Sequence, residues 1–141
     1  MGDIFPVRAS YTKCAWIYHT TTGVFNHILS GWDHNTTATG GHGMRVAYDQ
    51  RLSAGQNGDW RIVQTAPNAI QSNHWYFAAV TFNYSTGEMV LYLDGSPVDT
   101  AILAANMRDV TDPGLLVGAT QGSFAWNGML DDARIYNYAL S

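Results

Sequence analysis

Apolar and polar positions along the chain fall into short runs broken by Gly, Asn, Asp and Ser. No window of eleven or more residues carries a helical repeat. The clearest run, His74–Phe82, is rich in aromatic and β-branched residues and is bounded by Asn73 and Asn83, which predicts a strand buried on both faces. Tyr84-Ser85-Thr86-Gly87 supplies turn chemistry, and Glu88–Leu93 resumes with Met89, Leu91 and Leu93 alternating against Val90 and Tyr92. Asp94-Gly95 then precedes Ser96-Pro97-Val98, and this dipeptide accepts the positive φ angles of a type I′ turn. Together these segments predict a three-stranded meander. Weaker runs at Tyr11–His19, Phe25–Gly31, Met44–Asp49, Trp60–Thr65, Leu115–Ala119 and Phe124–Tyr136 predict further short strands, the pattern of a sandwich or barrel. Ala101–Met107 is the one place for a helical turn or two, and Asp33–Gly43 reads as a long exposed loop. No repeat or linker divides the chain, so residues 1–141 are read as one domain.

Composition narrows the classes. Charged residues make up 13% of the 141, about half the usual quarter, while the 46% hydrophobic share excludes low-hydrophobicity disorder. A chain of this length buries roughly 68–70% of its unfolded surface and needs no disulfide, and the lone Cys14 could form none internally. Seven basic residues against eleven acidic ones give a net charge of -4, with Lys13 the only lysine, so the reading is no nucleic-acid partner. No run approaches the roughly 18 residues of a membrane helix, and Met-Gly-Asp-Ile-Phe-Pro lacks the regions of a signal peptide.

Three segments occur in a telling order: Trp75–Phe82, then Gly87–Gly95, then Gly128-Met129-Leu130-Asp131-Asp132-Ala133-Arg134-Ile135-Tyr136-Asn137-Tyr138-Ala139-Leu140-Ser141. They resemble a laminin-G-like domain of the concanavalin A-like lectin/glucanase superfamily, and Tyr11–Ile17 and Ile28–Ser30 resemble two of its earlier strands. The resemblance implies an all-β, two-sheet antiparallel β-sandwich of the jelly-roll type. It also implies a secreted or cell-surface setting and a non-catalytic binding module for carbohydrate or a glycoconjugate. Members usually carry one or more strands before the point matched by Asp3-Ile4-Phe5. The implied consequence is an open sheet edge beside the C-terminal strand, closed by a second copy of the chain or by a further segment.

Candidate chemistry is limited by one count. Ten of the eleven acids are Asp and Glu88 is the only glutamate, so the paired-glutamate mechanism of the superfamily's glucanases has no residues here. Asp131 and Asp132 are adjacent, and alternation points them to opposite faces. The same alternation aligns Asp131 with Met129, Ala133 and Ile135, a buried line on which a carboxylate accepts backbone N–H groups or, as the competing reading, binds a structural calcium ion. Asp132 and Arg134 share the other face as a surface ion pair. The histidines, His34 and His42 among them, match no zinc spacing and read as exposed loop residues, and Cys14 reads as a small buried hydrophobe.

Sugar recognition needs aromatic faces and planar polar groups. Loop residues of that kind are Trp32, Trp60 and Trp126 with Asp33, His34, Asn35, Asn57, Asp59 and Asn127 beside them; Trp16 and Trp75 are assigned to the core, and Tyr48 and Tyr84 are secondary candidates. Two Asn-x-Ser/Thr matches, at Asn35 and Asn83, are too short a pattern to decide anything. The preferred function is therefore a carbohydrate-binding module that needs no cofactor. An assembly module without a small ligand and a diverged hydrolase using Asp residues are the two alternatives.

Overall fold

A computed structural model of the protein describes residues 2–31, 40–120 and 124–141. Its strands are β1 (Gly2–Asp3), β2 (Tyr11–His19), β3 (Asn26–His27), β4 (Leu29–Ser30), β5 (His42–Val46), β6 (Leu52–Gln56), β7 (Asp59–Gln64), β8 (Trp75–Phe82), β9 (Glu88–Leu93), β10 (Ser96–Ile102), β11 (Gly114–Val117) and β12 (Gly128–Tyr136), with one 3-10 turn at Ala105–Met107. The first sheet is antiparallel in the order β10-β9-β8-β2-β12. Its β8-β9-β10 part is the expected meander, and the β9–β10 turn places Asp94 and Gly95 at φ 50° and 80°. The second layer contains the ladders β1-β11-β4 and β3-β5-β6-β7. They are continuous, because Gly31 and His42 exchange both backbone hydrogen bonds at 2.8 Å and the Ile28 N–H donates to the Met44 carbonyl. The fold is thus a two-sheet sandwich.

Strand alternation fills the space between the sheets. Ile17, Val80, Phe82, Met89 and Leu91 from the first sheet meet Met44, Val46, Leu52, Ala54 and Val63 from the second, all essentially solvent-free, with Phe5, Ile70, Leu103 and Val110 closing the ends. Removing each such side chain from water contributes about 1.5–3 kcal/mol.

Three expectations about the first sheet are corrected. Trp16 and Trp75 are not core residues. They lie on the outer face of the first sheet, 42% and 40% exposed, because Tyr11, Lys13, Ala15, Ile17 and His19 are the row of β2 that turns inward. Only the C-terminal half of β8 is buried on both faces. Asp131 is exposed rather than buried: the register slips between Asp131 and Arg134, Asp132 takes φ 49°, and Asp131 consequently opposes Trp16 on the outer face. Asp132 and Arg134 do form the expected ion pair, at 2.7 Å. That bulge and its charges lie on β12, which is an edge of the first sheet, and such features oppose edge-to-edge pairing.

Inside the sandwich sits a polar pair. Lys13 is wholly buried, and its Nζ donates to His42 Nδ1 at 2.5 Å while lying 4.9 Å from the Phe5 ring centre. His42 donates from Nε2 to the Gly114 carbonyl at 3.1 Å and stacks on Phe5. His42 is therefore an interior residue and not an exposed loop one. Burial holds the Lys13 amine well below the ordinary lysine range. Burial first, and then the nearby Lys13 charge, holds His42 well below its own.

Gly31 stands where β4, β5 and β11 meet, and a Cβ there would overlap the Gly114 carbonyl oxygen and the His42 ring. Gly31→Ala is expected to cost about 1–3 kcal/mol, read as a lowered midpoint in urea unfolding. An unchanged midpoint would show that the second layer is not closed at this junction.

Candidate functional site

The outward row of the second sheet is assembled by register alone. His27 pairs with Arg45, Arg45 with Ser53, and Ser53 with Gln64, so four side chains from β3, β5, β6 and β7 stand side by side on the face away from the core. Their inward counterparts Met44, Ala54 and Val63 are buried, which fixes the sidedness. Two residues along, Gly43 opposes Gly55 and leaves a depression in that face. Trp60 fills it: a Cβ at Gly43 would lie 2.9 Å from Trp60 Cε3, and a Cβ at Gly55 would overlap the Asp59 carbonyl. The indole is thereby laid half-buried against the sheet.

Arg45 is the centre of the row. Its guanidinium lies 4.5 Å from the centre of the Phe25 ring, a cation–π contact. Phe25 in turn meets the edges of Tyr48 and Phe124 at centroid distances of 5.5 and 5.7 Å, and Phe124 stacks on His27. Tyr48 and Phe124 are 53% and 50% exposed. The Arg61 guanidinium lies 5.9 Å from the Tyr48 ring, on the same rim.

Two electrostatic facts distinguish this face. Among the described residues no carboxylate lies within ion-pair distance of Arg45. The guanidinium is pushed down to about 10 by burial first and by the Arg61 charge, against the opposing pull of Asp59. Buried polar atoms are nearly always hydrogen-bonded. Yet of six such atoms without a partner among the described residues, three are Arg45 Nε, Ser53 Oγ and Gln64 Oε1, neighbours in this one row. His27 differs, since its Nδ1 meets Ser30 Oγ at 2.8 Å.

The residues expected from the sequence divide between several places. Trp60 and Asp59 lie on this face; Asp59 is exposed, and its carboxylate accepts the Arg61 N–H at 3.0 Å. Asn57 occupies the β6–β7 turn at φ 55°, with its carboxamide bonded to Gly40 and Met107. Trp126 packs against the core and donates from Nε1 to the Tyr18 and Met129 carbonyls, and the Asn127 N–H donates to Asn26 Oδ1. Trp32, Asp33, His34 and Asn35 lie outside the described residues. Arg45, Phe25, Ser53, Gln64 and Phe124 belong to this candidate face and are residues that the sequence reading does not single out. The alternation of Gly43-Met44-Arg45-Val46 is the signal that an arginine faces outward there.

The outer face of the first sheet is chemically different. It carries Trp16, Tyr18, Trp75 and Phe77 in ring contacts and a shallow groove of ≈ 220 Å³ lined by Cys14, Phe77, Ala79, Tyr92 and Leu140. Burial pushes the Cys14 thiol up, away from nucleophilic reactivity. The surroundings of Asp131 do not fit calcium: one oxygen already accepts the Asp132 N–H, Arg134 occupies Asp132, and no three His, Cys, Asp or Glu side chains converge among the described residues.

The Laminin_G_3 family model, described as concanavalin A-like lectin/glucanases superfamily, matches residues 3–141. The chain belongs to this superfamily. No curated protein matches the sequence. Among solved structures, this concanavalin A-like domain is similar to the CBM40 of the Ruminococcus gnavus IT-sialidase bound to α2,3-sialyllactose, with TM-score 0.77 and 14% identity over 99% of this chain and 80% of that one. It is also similar to the leech intramolecular trans-sialidase, with TM-score 0.78 and 13% identity over 96% of this chain and 22% of that one. A third likeness is the heptameric SAP-like pentraxin of Limulus polyphemus, with TM-score 0.70 and 22% identity over 97% of this chain and 68% of that one. At these identities the likeness establishes the fold.

His27 gives this face a titration signature. Burial first, then the charges of Arg45 and Lys13, push the folded imidazole down to about 3, whereas an unfolded histidine titrates at about 6.5. As pH falls through that window the unfolded chain binds a proton that the folded chain does not, so stability is lost on acidification. His27→Gln is expected to flatten the slope of unfolding free energy between about pH 6 and 4 by close to one proton. An unchanged slope would contradict a neutral buried His27.

Proposed function

We propose that the domain is a non-catalytic module that binds carbohydrate across the outer face of the second sheet. The carrying observation is convergence: Trp60 seated on its glycine bed, the half-exposed rings of Tyr48 and Phe124, and the half-buried guanidinium of Arg45 occupy one face. A sugar presents apolar C–H surfaces that pack on aromatic rings and hydroxyls that bond to planar polar groups, and this face offers both kinds of partner. Solved structures of similar fold include a domain bound to sialyllactose, which supports the same class of ligand here.

Hydrolysis is not part of this reading. Glycosidic cleavage uses two carboxyl groups flanking one bond, roughly 5–5.5 Å apart in retaining enzymes. The adjacent pair Asp131 and Asp132 lies on a strand of the opposite sheet, with Asp132 held in a two-point bond to Arg134. Asp59 at the rim caps its own strand through the Arg61 N–H.

Glycan-array screening followed by isothermal titration should find binding that Trp60→Ala and Tyr48→Ala each weaken by about tenfold, equivalent to ~1.4 kcal/mol, while Trp16→Ala on the opposite face leaves it unchanged. Binding lost equally in Trp16→Ala, or no binding to any glycan class, would overturn the proposal.

A further inference from the structure

We propose that this face selects a glycan bearing a carboxylate, and that Arg45 is the residue that binds it. The inference deepens the carbohydrate-binding reading and rests on it. Arg45 is a half-buried cation, flanked by Phe25 on one side and by Ser53 in register on the other, with no carboxylate of the described chain in ion-pair reach. A cation withdrawn from water without a counter-ion is costly, and the described residues supply none. The two nearest acids in sequence to this face are already engaged: Asp59 exerts an opposing field yet accepts the Arg61 backbone N–H, and Asp49 is held by Arg51 at 2.8 Å.

The geometry favours a planar acid over a point charge. A guanidinium presents its N–H groups as a rigid fork that matches the two oxygens of a carboxylate. The Arg45 Nε–H is enclosed and without a partner among the described residues, so the end of the half-buried guanidinium is the part that would present the fork. The aromatic rim of Phe25, Tyr48 and Phe124 borders the same cation and would hold the ring's apolar surface.

The test is titration of the intact chain with 3′-sialyllactose, a glucuronic acid disaccharide, lactose and 3′-sulfolactose. At least one carboxylated probe should bind tenfold or more tightly than lactose. Arg45→Met should remove that preference, and Arg45→Lys, which keeps the charge and loses the fork, should restore only part of it. Thermal melts of each variant confirm folding, and residual lactose binding gives a second check on the face. Lactose bound as tightly as the acids and unaffected by Arg45→Met would overturn this inference while leaving carbohydrate binding in place. Sulfolactose bound as tightly as the carboxylated probes would also overturn it, since charge alone would then suffice. No binding of any probe, together with an empty glycan array, would overturn both.

Discussion

Period-two alternation along β5 and β6 is the constraint on which the rest of the molecule depends. Met44, Val46, Leu52 and Ala54 face the core, and by the same geometry Gly43, Arg45, Ser53 and Gly55 must face away from it. A slip of one residue in either strand would exchange the two sets, placing an arginine among the apolar side chains and methyl groups in the solvent. Core and candidate binding face are therefore specified together. The stability of the sandwich enforces the arrangement of the proposed recognition groups.

The same logic explains why a lysine is tolerated in the interior. Lys13 belongs to the inward row of β2, and that row also supplies Tyr11, Ala15 and Ile17 to the core, so the strand cannot turn Lys13 outward without exposing its neighbours. The chain meets the difficulty locally. His42 accepts from the amine and passes a hydrogen bond on to the Gly114 carbonyl, while the Phe5 and Tyr11 rings cover the rest of the head group. Such a network ties β2, β5 and β11 together across the two layers, and its directional bonds favour one packing over near alternatives.

Much of the fold is legible in the sequence because its strands are rich in aromatic and β-branched residues and its turns use Asp-Gly and Asn. β6 is not. Leu52-Ser53-Ala54-Gly55-Gln56 contains no β-branched or aromatic residue, and its place is set by neighbours on both sides. Without β6 the candidate site is hidden as well, because Arg45 and Gln64 become neighbours only through Ser53. Trp16 and Trp75 mislead for another reason: both rows of β2 are largely apolar, and hydrophobicity alone does not say which of two apolar rows is the inner one. Parity fails at Asp131 because a bulge with φ 49° at Asp132 resets the alternation, and nothing in the local composition marks it.

The glycine bed under Trp60 has a consequence for how such a surface changes over evolutionary time. The indole's height and tilt depend on two missing Cβ atoms, at Gly43 beneath the ring and at Gly55 beside the Trp60 backbone. A single added methyl beneath the ring would lift the platform and reshape what can rest on it, with every exposed residue left as it was. Under the proposed carbohydrate-binding role, selectivity would thus be open to revision from below, through positions beneath the surface that a ligand meets.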